Sequence, residues 1–138
     1  MRQNIIFILF IFLISCSQDL RKGAFEIHEG TKKVTNLYRD GNYQIDYDLE
    51  TKTIIPIKNI WLNNNEVLLK GMDNPKSHID TITFKVIYTL LEKNKYTLEA
   101  KAQFMDSLDY VYKATMVKTS NEIPEKFQKK LDSLNFNN

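Results

Sequence analysis

Two histidines are the side chains best placed to move protons near neutral pH in this chain of 138 residues. His78 stands two positions before Asp80, so an extended segment would carry both on one face, and a His–Asp pair is half of a nucleophilic triad. The neighbouring hydroxyl is Ser77, but adjacent residues of a strand point to opposite faces, so the third member is not supplied locally. A polar surface cluster ahead of a strand is expected there. His28 lies beside Glu29 at a strand end near a turn. Asp46, Asp48 and Glu50 alternate with Ile45 and Tyr47, which places the three acids on the outward face of a strand. Oxygen-only clusters can hold calcium, yet the spacing and glycine of an EF-hand loop are missing, so a solvated face is expected. The sequence contains no glycine-rich phosphate loop, no G-x-S-x-G elbow and no H-E-x-x-H motif. The residues therefore predict no enzyme, no bound metal and no cofactor.

Aromatic side chains are the remaining chemistry. Tyr43, Tyr47, Tyr88, Tyr96, Tyr110 and Tyr112 all fall on what reads as the inner face of successive strands. A buried tyrosine needs a partner for its hydroxyl, so these six could line a polar-rimmed ligand cavity or fill a solid core with their hydroxyls at its rim. Trp61 follows an apolar run and reads as core.

The elements that must position these residues are bounded by composition. Nineteen Lys and Arg against seventeen Asp and Glu give a net charge of +2, without the basic stripe of a nucleic-acid binder. The length suits one domain, and a hydrophobic content of 43% supports a packed core. One cysteine excludes an internal disulfide, a cysteine-based zinc site and a dithiol redox motif.

That cysteine has a specific setting. Arg2 is followed by an unbroken apolar run from Ile5 to Ile14, and then by Leu13-Ile14-Ser15-Cys16 at its end. Ten helical residues span about 15 Å, half of a bilayer's hydrocarbon core, which is the length of a signal-peptide apolar region. The tetrapeptide resembles a bacterial lipobox. The resemblance implies cleavage between Ser15 and Cys16, acylation of Cys16 with palmitate-type chains, and attachment to a membrane of the cell envelope. Two or three acyl chains on one residue anchor firmly, because each buried methylene contributes about 0.8 kcal/mol. Ser17 follows the cysteine in place of the Asp that resembles an inner-membrane retention signal, so the periplasmic face of an outer membrane is implied. From Cys16 to Ala24 a tether could span roughly 26 to 29 Å.

Beyond residue 23 the pattern has a period of two. Ile82, Phe84, Val86, Tyr88 and Leu90 share one face; Tyr96, Leu98, Ala100, Ala102 and Phe104 repeat it, as do Tyr110, Tyr112, Ala114 and Met116. One apolar and one polar face per strand implies antiparallel pairing. Weaker copies precede these, around Phe25 and Ile27, Val34 to Arg39, Tyr43 to Tyr47, Ile54 to Leu62 and Val67 to Lys70. Pro56 marks an edge, a bulge or a bend in its strand. The fold class is mainly β: a meander of about eight antiparallel strands closing into a small barrel or a two-sheet sandwich. The tail switches period. Ile123, Phe127, Leu131 and Leu134 form one helical stripe, which predicts a C-terminal helix of about ten to twelve residues.

The resulting organisation is a signal peptide over 1–15, an acylated cysteine and tether over 16–23, a β domain over 24–119 and a helix and tail over 120–138. Lys22-Gly23-Ala24-Phe25 opening the strands, a meander containing Trp61 and a closing helix are similar to lipocalin-like and other small β-rich envelope lipoproteins. Gly23-Ala24-Phe25 stands where a lipocalin carries Gly-x-Trp. The expected role is a membrane-anchored, non-catalytic interaction or structural module whose partner is an envelope protein. The alternative is a binder of a small ligand inside a tyrosine-lined barrel.

Overall fold

Alternating segments that each bury one face must find neighbours on both edges, and here they do so by closing a ring. The computed structural model describes residues 19–72, 83–103 and 111–137. Eight strands follow in order: β1 (Lys22–Glu29), β2 (Lys32–Asp40), β3 (Tyr43–Asp48), β4 (Ile54–Trp61), β5 (Glu66–Gly71), β6 (Thr83–Glu92), β7 (Lys95–Ala102) and β8 (Tyr112–Ser120). Each pairs antiparallel with the next, and β8 returns to pair with β1, so the barrel is closed. Of the two architectures the alternation allowed, the barrel is the one adopted. Closure leaves no edge strand exposed.

Tight turns set the register. Gly41, at φ +64°, opens the short β2–β3 turn in a conformation that costs glycine little. Gly23, at φ +133°, lies where β1 crosses β8. A β-carbon built there would stand 2.5 Å from the Ser120 carbonyl oxygen. Pro56 sits just past the last β4–β5 pair, Ile57 with Gly71, and its carbonyl accepts from the Met72 amide at 3.3 Å. The assigned β4–β5 pairing ends beside it, a position at which a strand tolerates the missing N–H of proline.

One end of the barrel is stoppered by the chain itself. Residues 19–21 precede β1 and turn inward: Leu20 is buried in the main core with Phe25, Val67, Tyr96 and Met116. Lys118 Nζ donates to the Asp19 carbonyl at 2.7 Å, and the Gly41 amide donates to the Arg21 carbonyl at 2.8 Å. Of the segment expected as acylated cysteine and tether over 16–23, the part from residue 19 onward is held against the barrel. Among the described residues, the strand pairings, this plug and the helix contacts lie between residues 19 and 137.

The helix α1 (Glu125–Phe136) has the expected length and the expected stripe. Pro124 stands just before it, with its carbonyl accepting from the Phe127 and Gln128 amides, and Glu125 sits at the positive end of the helix dipole. Leu131 is fully buried against Tyr43 and Ile45, joined by Ile123, Phe127 and Leu134. Phe127 also stacks on Tyr38 with ring centroids 4.1 Å apart.

This contact reverses one sequence expectation. The apolar face of β3, Tyr43, Ile45 and Tyr47, points out of the barrel and under α1, not into the interior. Gln44 and Asp46 point inward instead. Alternation marks which face is covered, but here the covering element is a helix on the outside.

Candidate functional site

The barrel is solid at its plugged end and hollow at the other. A cavity of about 400 Å³ occupies the half remote from the plug. Its walls are aliphatic, with Ile27, Leu37, Leu69, Val86 and Leu98 contributed by five different strands. Phe84, Tyr88 and Tyr112 add aromatic rings, and Thr35, Gln44 and Asp46 add polar groups along one side. This volume falls within the range of small-molecule sites, which are mostly apolar with a few placed polar groups.

The polar groups form a connected chain that starts at the plug. Arg39 on β2 is fully buried. Its Nη1 donates to the Leu20 carbonyl at 2.9 Å, its Nε and Nη2 donate to Gln44 Oε1 at 2.9 and 2.7 Å, and Nη2 also donates to the Tyr88 hydroxyl at 2.8 Å. The guanidinium carbon lies 5.5, 5.1 and 5.5 Å from the ring centroids of Phe25, Trp61 and Tyr88, within reach of favourable cation–π contact. Gln44 Nε2 then donates to Asp46 Oδ1 at 2.8 Å. The second carboxyl oxygen of Asp46 has no hydrogen-bond partner among the described residues.

Asp46 is thus a carboxyl group set in an apolar wall. Burial pushes it up to about 6, against the opposing pull of the Gln44 hydrogen bond and the Arg39 charge. It is ionised at neutral pH but lies within reach of protonation in mildly acidic surroundings.

A second hollow of about 510 Å³ sits at the mouth and shares Thr35 and Tyr112 with the cavity. Glu29, Asp48 and Glu50 line it together with Lys32 and Lys33. The Tyr112 hydroxyl donates to Glu29 Oε1 at 2.6 Å across this entrance.

The tyrosines expected as ligand-lining residues divide into three groups. Tyr88 and Tyr112 line the cavity. Tyr96 is buried in the solid core, with its hydroxyl pushed above its ordinary range by burial. Tyr43 and Tyr47 do not line the cavity: they lie outside the barrel wall, Tyr43 beside Leu131 and Tyr47 with its ring 6.0 Å from that of Phe127. Helix coverage of the outer β3 surface is the physical reason. The same reversal places Asp46 inside, apart from the solvated face expected for it with Asp48 and Glu50. Tyr110, the His78–Asp80 pair with Ser77, and the processing residues Ser15 and Cys16 lie outside the described residues. His28 pairs with Glu26 at 3.1 Å and is not among the residues that line the cavity.

Arg39, Gln44 and Asp46 carry the polar character of the site, and alternation alone did not single them out. One signal was present: on β2, Thr35, Leu37 and Arg39 share a face that competes with the face of Asn36 and Tyr38. Among the described residues no cluster of three His, Cys, Asp or Glu side chains is placed to hold a metal ion, and no helix is long and apolar enough to cross a membrane. No protein-family model, curated protein or solved structure matches the chain.

Proposed function

We propose that this protein is an envelope lipoprotein whose barrel carries a small, largely apolar ligand in its interior. The carrying observation is the 400 Å³ cavity with aliphatic walls and one carboxyl group, Asp46. At the roughly 30 Å³ that a water molecule occupies in the liquid, this space suits a molecule of about a dozen non-hydrogen atoms. An open interior favours ligand carriage over a purely structural or interaction module. The protein acts without catalysis: it binds, shields and releases.

The lipobox supports the anchor. Acylated Cys16 stands three residues before Asp19, so lipid would hold the plugged end near the membrane, at the periplasmic face of the outer membrane, with the mouth turned away. Labelled palmitate should mark the wild-type chain and leave Cys16→Ala unmarked; equal labelling of both would contradict the anchor.

The ligand reading is tested in water with residues 17–138 and the neutral fluorescent probe 2-naphthalenemethanol, which has about a dozen non-hydrogen atoms. Saturable binding to the wild type is expected, with loss in Ala100→Phe, which fills the cavity from β7. Equal binding by a folded Ala100→Phe would refute the interior site.

A further inference from the structure

Asp46 is the one charged side chain among the described residues that line the cavity. The buried cation behind it is spoken for: Arg39 directs its N–H groups to Leu20, Gln44 and Tyr88, and Gln44 stands between the guanidinium and the carboxylate. A ligand entering the cavity therefore meets a carboxylate oxygen with an open hydrogen-bonding position and, among the described residues, no competing cation in the wall.

Displacing water from that oxygen without replacing its hydrogen bond is unfavourable, because a buried unpaired carboxylate loses its solvation. The incoming molecule must bring a donor. Phe84, Tyr88 and Tyr112 line the same space, and the faces of aromatic rings attract cations. The entrance points the same way. Among the described residues that line it, Lys33 is paired with Glu26 at 3.3 Å, which leaves Lys32 against the carboxylates of Glu29, Asp48 and Glu50. A mouth richer in carboxylates concentrates cations.

We propose that the cavity takes a small organic amine, with its ammonium group on Asp46 and its apolar body along Leu37, Val86 and Leu98. This rests on the interior-ligand reading and names the chemical class of the ligand. The apolar wall selects the body and the single carboxylate selects the head. Charge balance changes with pH: among the described residues, the groups facing Asp46 are Gln44 on its own strand, Arg39 from β2 and, lining the same cavity, Tyr88 and Tyr112. Asp46 is the one carboxyl group among these, and burial lifts it into the mildly acidic range. Protonated Asp46 would no longer hold a cation beside Arg39, and the amine would be released in mild acid.

The test uses three probes of one shape on residues 17–138: 2-naphthylmethylamine, 2-naphthalenemethanol and 2-naphthoate. At pH 7.5 the amine should bind at least about tenfold more tightly than the alcohol, the equivalent of one charge-assisted hydrogen bond, with the carboxylate weakest. Asp46→Asn, which keeps the shape and the acceptor for Gln44, should bring amine and alcohol to within about twofold. Lowering the wild type to pH 5 should remove most of the amine's advantage while leaving the alcohol unchanged. Equal affinity for amine and alcohol in the wild type, or an amine preference that survives Asp46→Asn, overturns the proposal while leaving the interior site standing. Failure of all three probes to bind overturns the interior site itself.

Discussion

Gln44 accepts two hydrogen bonds from the Arg39 guanidinium through a single oxygen, at 2.9 and 2.7 Å. Its other end donates to Asp46 at 2.8 Å. A buried arginine and a cavity carboxylate are thereby joined through one neutral amide, without direct ionic contact. The same guanidinium holds the Leu20 carbonyl of the plug, so the floor of the cavity and the stopper of the barrel share one side chain. Burying a cation is costly unless its donors are met, and here four hydrogen bonds to neutral acceptors and three neighbouring rings offset that cost.

Replacing Arg39 by Met should therefore act at two places. It strips a partner from Leu20, Gln44 and Tyr88, and the expected loss of stability is about 2–4 kcal/mol in urea unfolding. It also removes the charge that pulls the Asp46 pKa down, so the carboxyl should titrate above about 6 in a carbon-13 spectrum. An unchanged Asp46 titration would show that the two groups are not electrostatically joined.

The pH dependence of stability has a defined sign. The folded pKa of Asp46 is raised above its ordinary 3.8, so the native state binds more protons than the unfolded chain between about pH 4 and 6. Ionised Asp46 weakens the fold at pH 7, by up to about 3 kcal/mol at 1.36 kcal/mol per pKa unit, and that penalty fades as pH falls through 6 toward 4. Two other carboxyls act below this window. At Glu26, burial pushes the pKa up, but hydrogen bonds from His28 and Lys33 outweigh it and hold the group below its usual range. The Thr51 and Glu50 amides do the same for Asp48. Urea midpoints should thus rise from pH 7 to pH 5 in the wild type and stay level in Asp46→Asn. A wild-type midpoint that falls over this interval would contradict the burial of Asp46.

Gly23 tests the closure between β1 and β8. Its positive φ and the 2.5 Å approach of the Ser120 carbonyl leave no room for a methyl group. Gly23→Ala should cost about 2–4 kcal/mol, the combined effect of a strained backbone and a displaced strand. Gly30 has open space around it, and Gly30→Ala should lose only the smaller conformational part. Thermal unfolding of the two variants side by side gives the comparison, and equal losses would count against the close approach.

Leu131 tests the helix cover. It is fully buried between α1 and β3, and Leu131→Ala should lose about 2–4 kcal/mol by leaving a cavity. Hydrogen exchange should quicken along α1 and leave the β6 and β7 amides protected. Uniform quickening across the barrel would mean that the helix is an integral part of it.

The strand count, the antiparallel order and the C-terminal helix were legible because alternation and its change of period are local signals. Thr83–Glu92, Lys95–Ala102 and Glu125–Phe136 are close to the segments that the pattern marks. The site was less legible. On β3 both faces are covered, one by the barrel and one by α1, so the apolar residues Tyr43, Ile45 and Tyr47 identified the helix-covered face and hid the inward turn of Asp46. Arg39 was hidden for a related reason: a long cation reads as surface unless its acceptors are known, and those acceptors come from residues as distant as Leu20 and Tyr88. Tyr88 and Tyr112 were found because their strands obey the simple rule of one face inward.

Ligand is expected inside the barrel and not on its outside, where Leu62, Leu90 and Leu91 are each at least half exposed. Nuclear Overhauser contacts between 2-naphthalenemethanol and assigned methyl groups of residues 17–138 decide it most directly. Contacts to Leu37, Val86 and Leu98 are the predicted result; contacts confined to Leu62, Leu90 and Leu91 would contradict it.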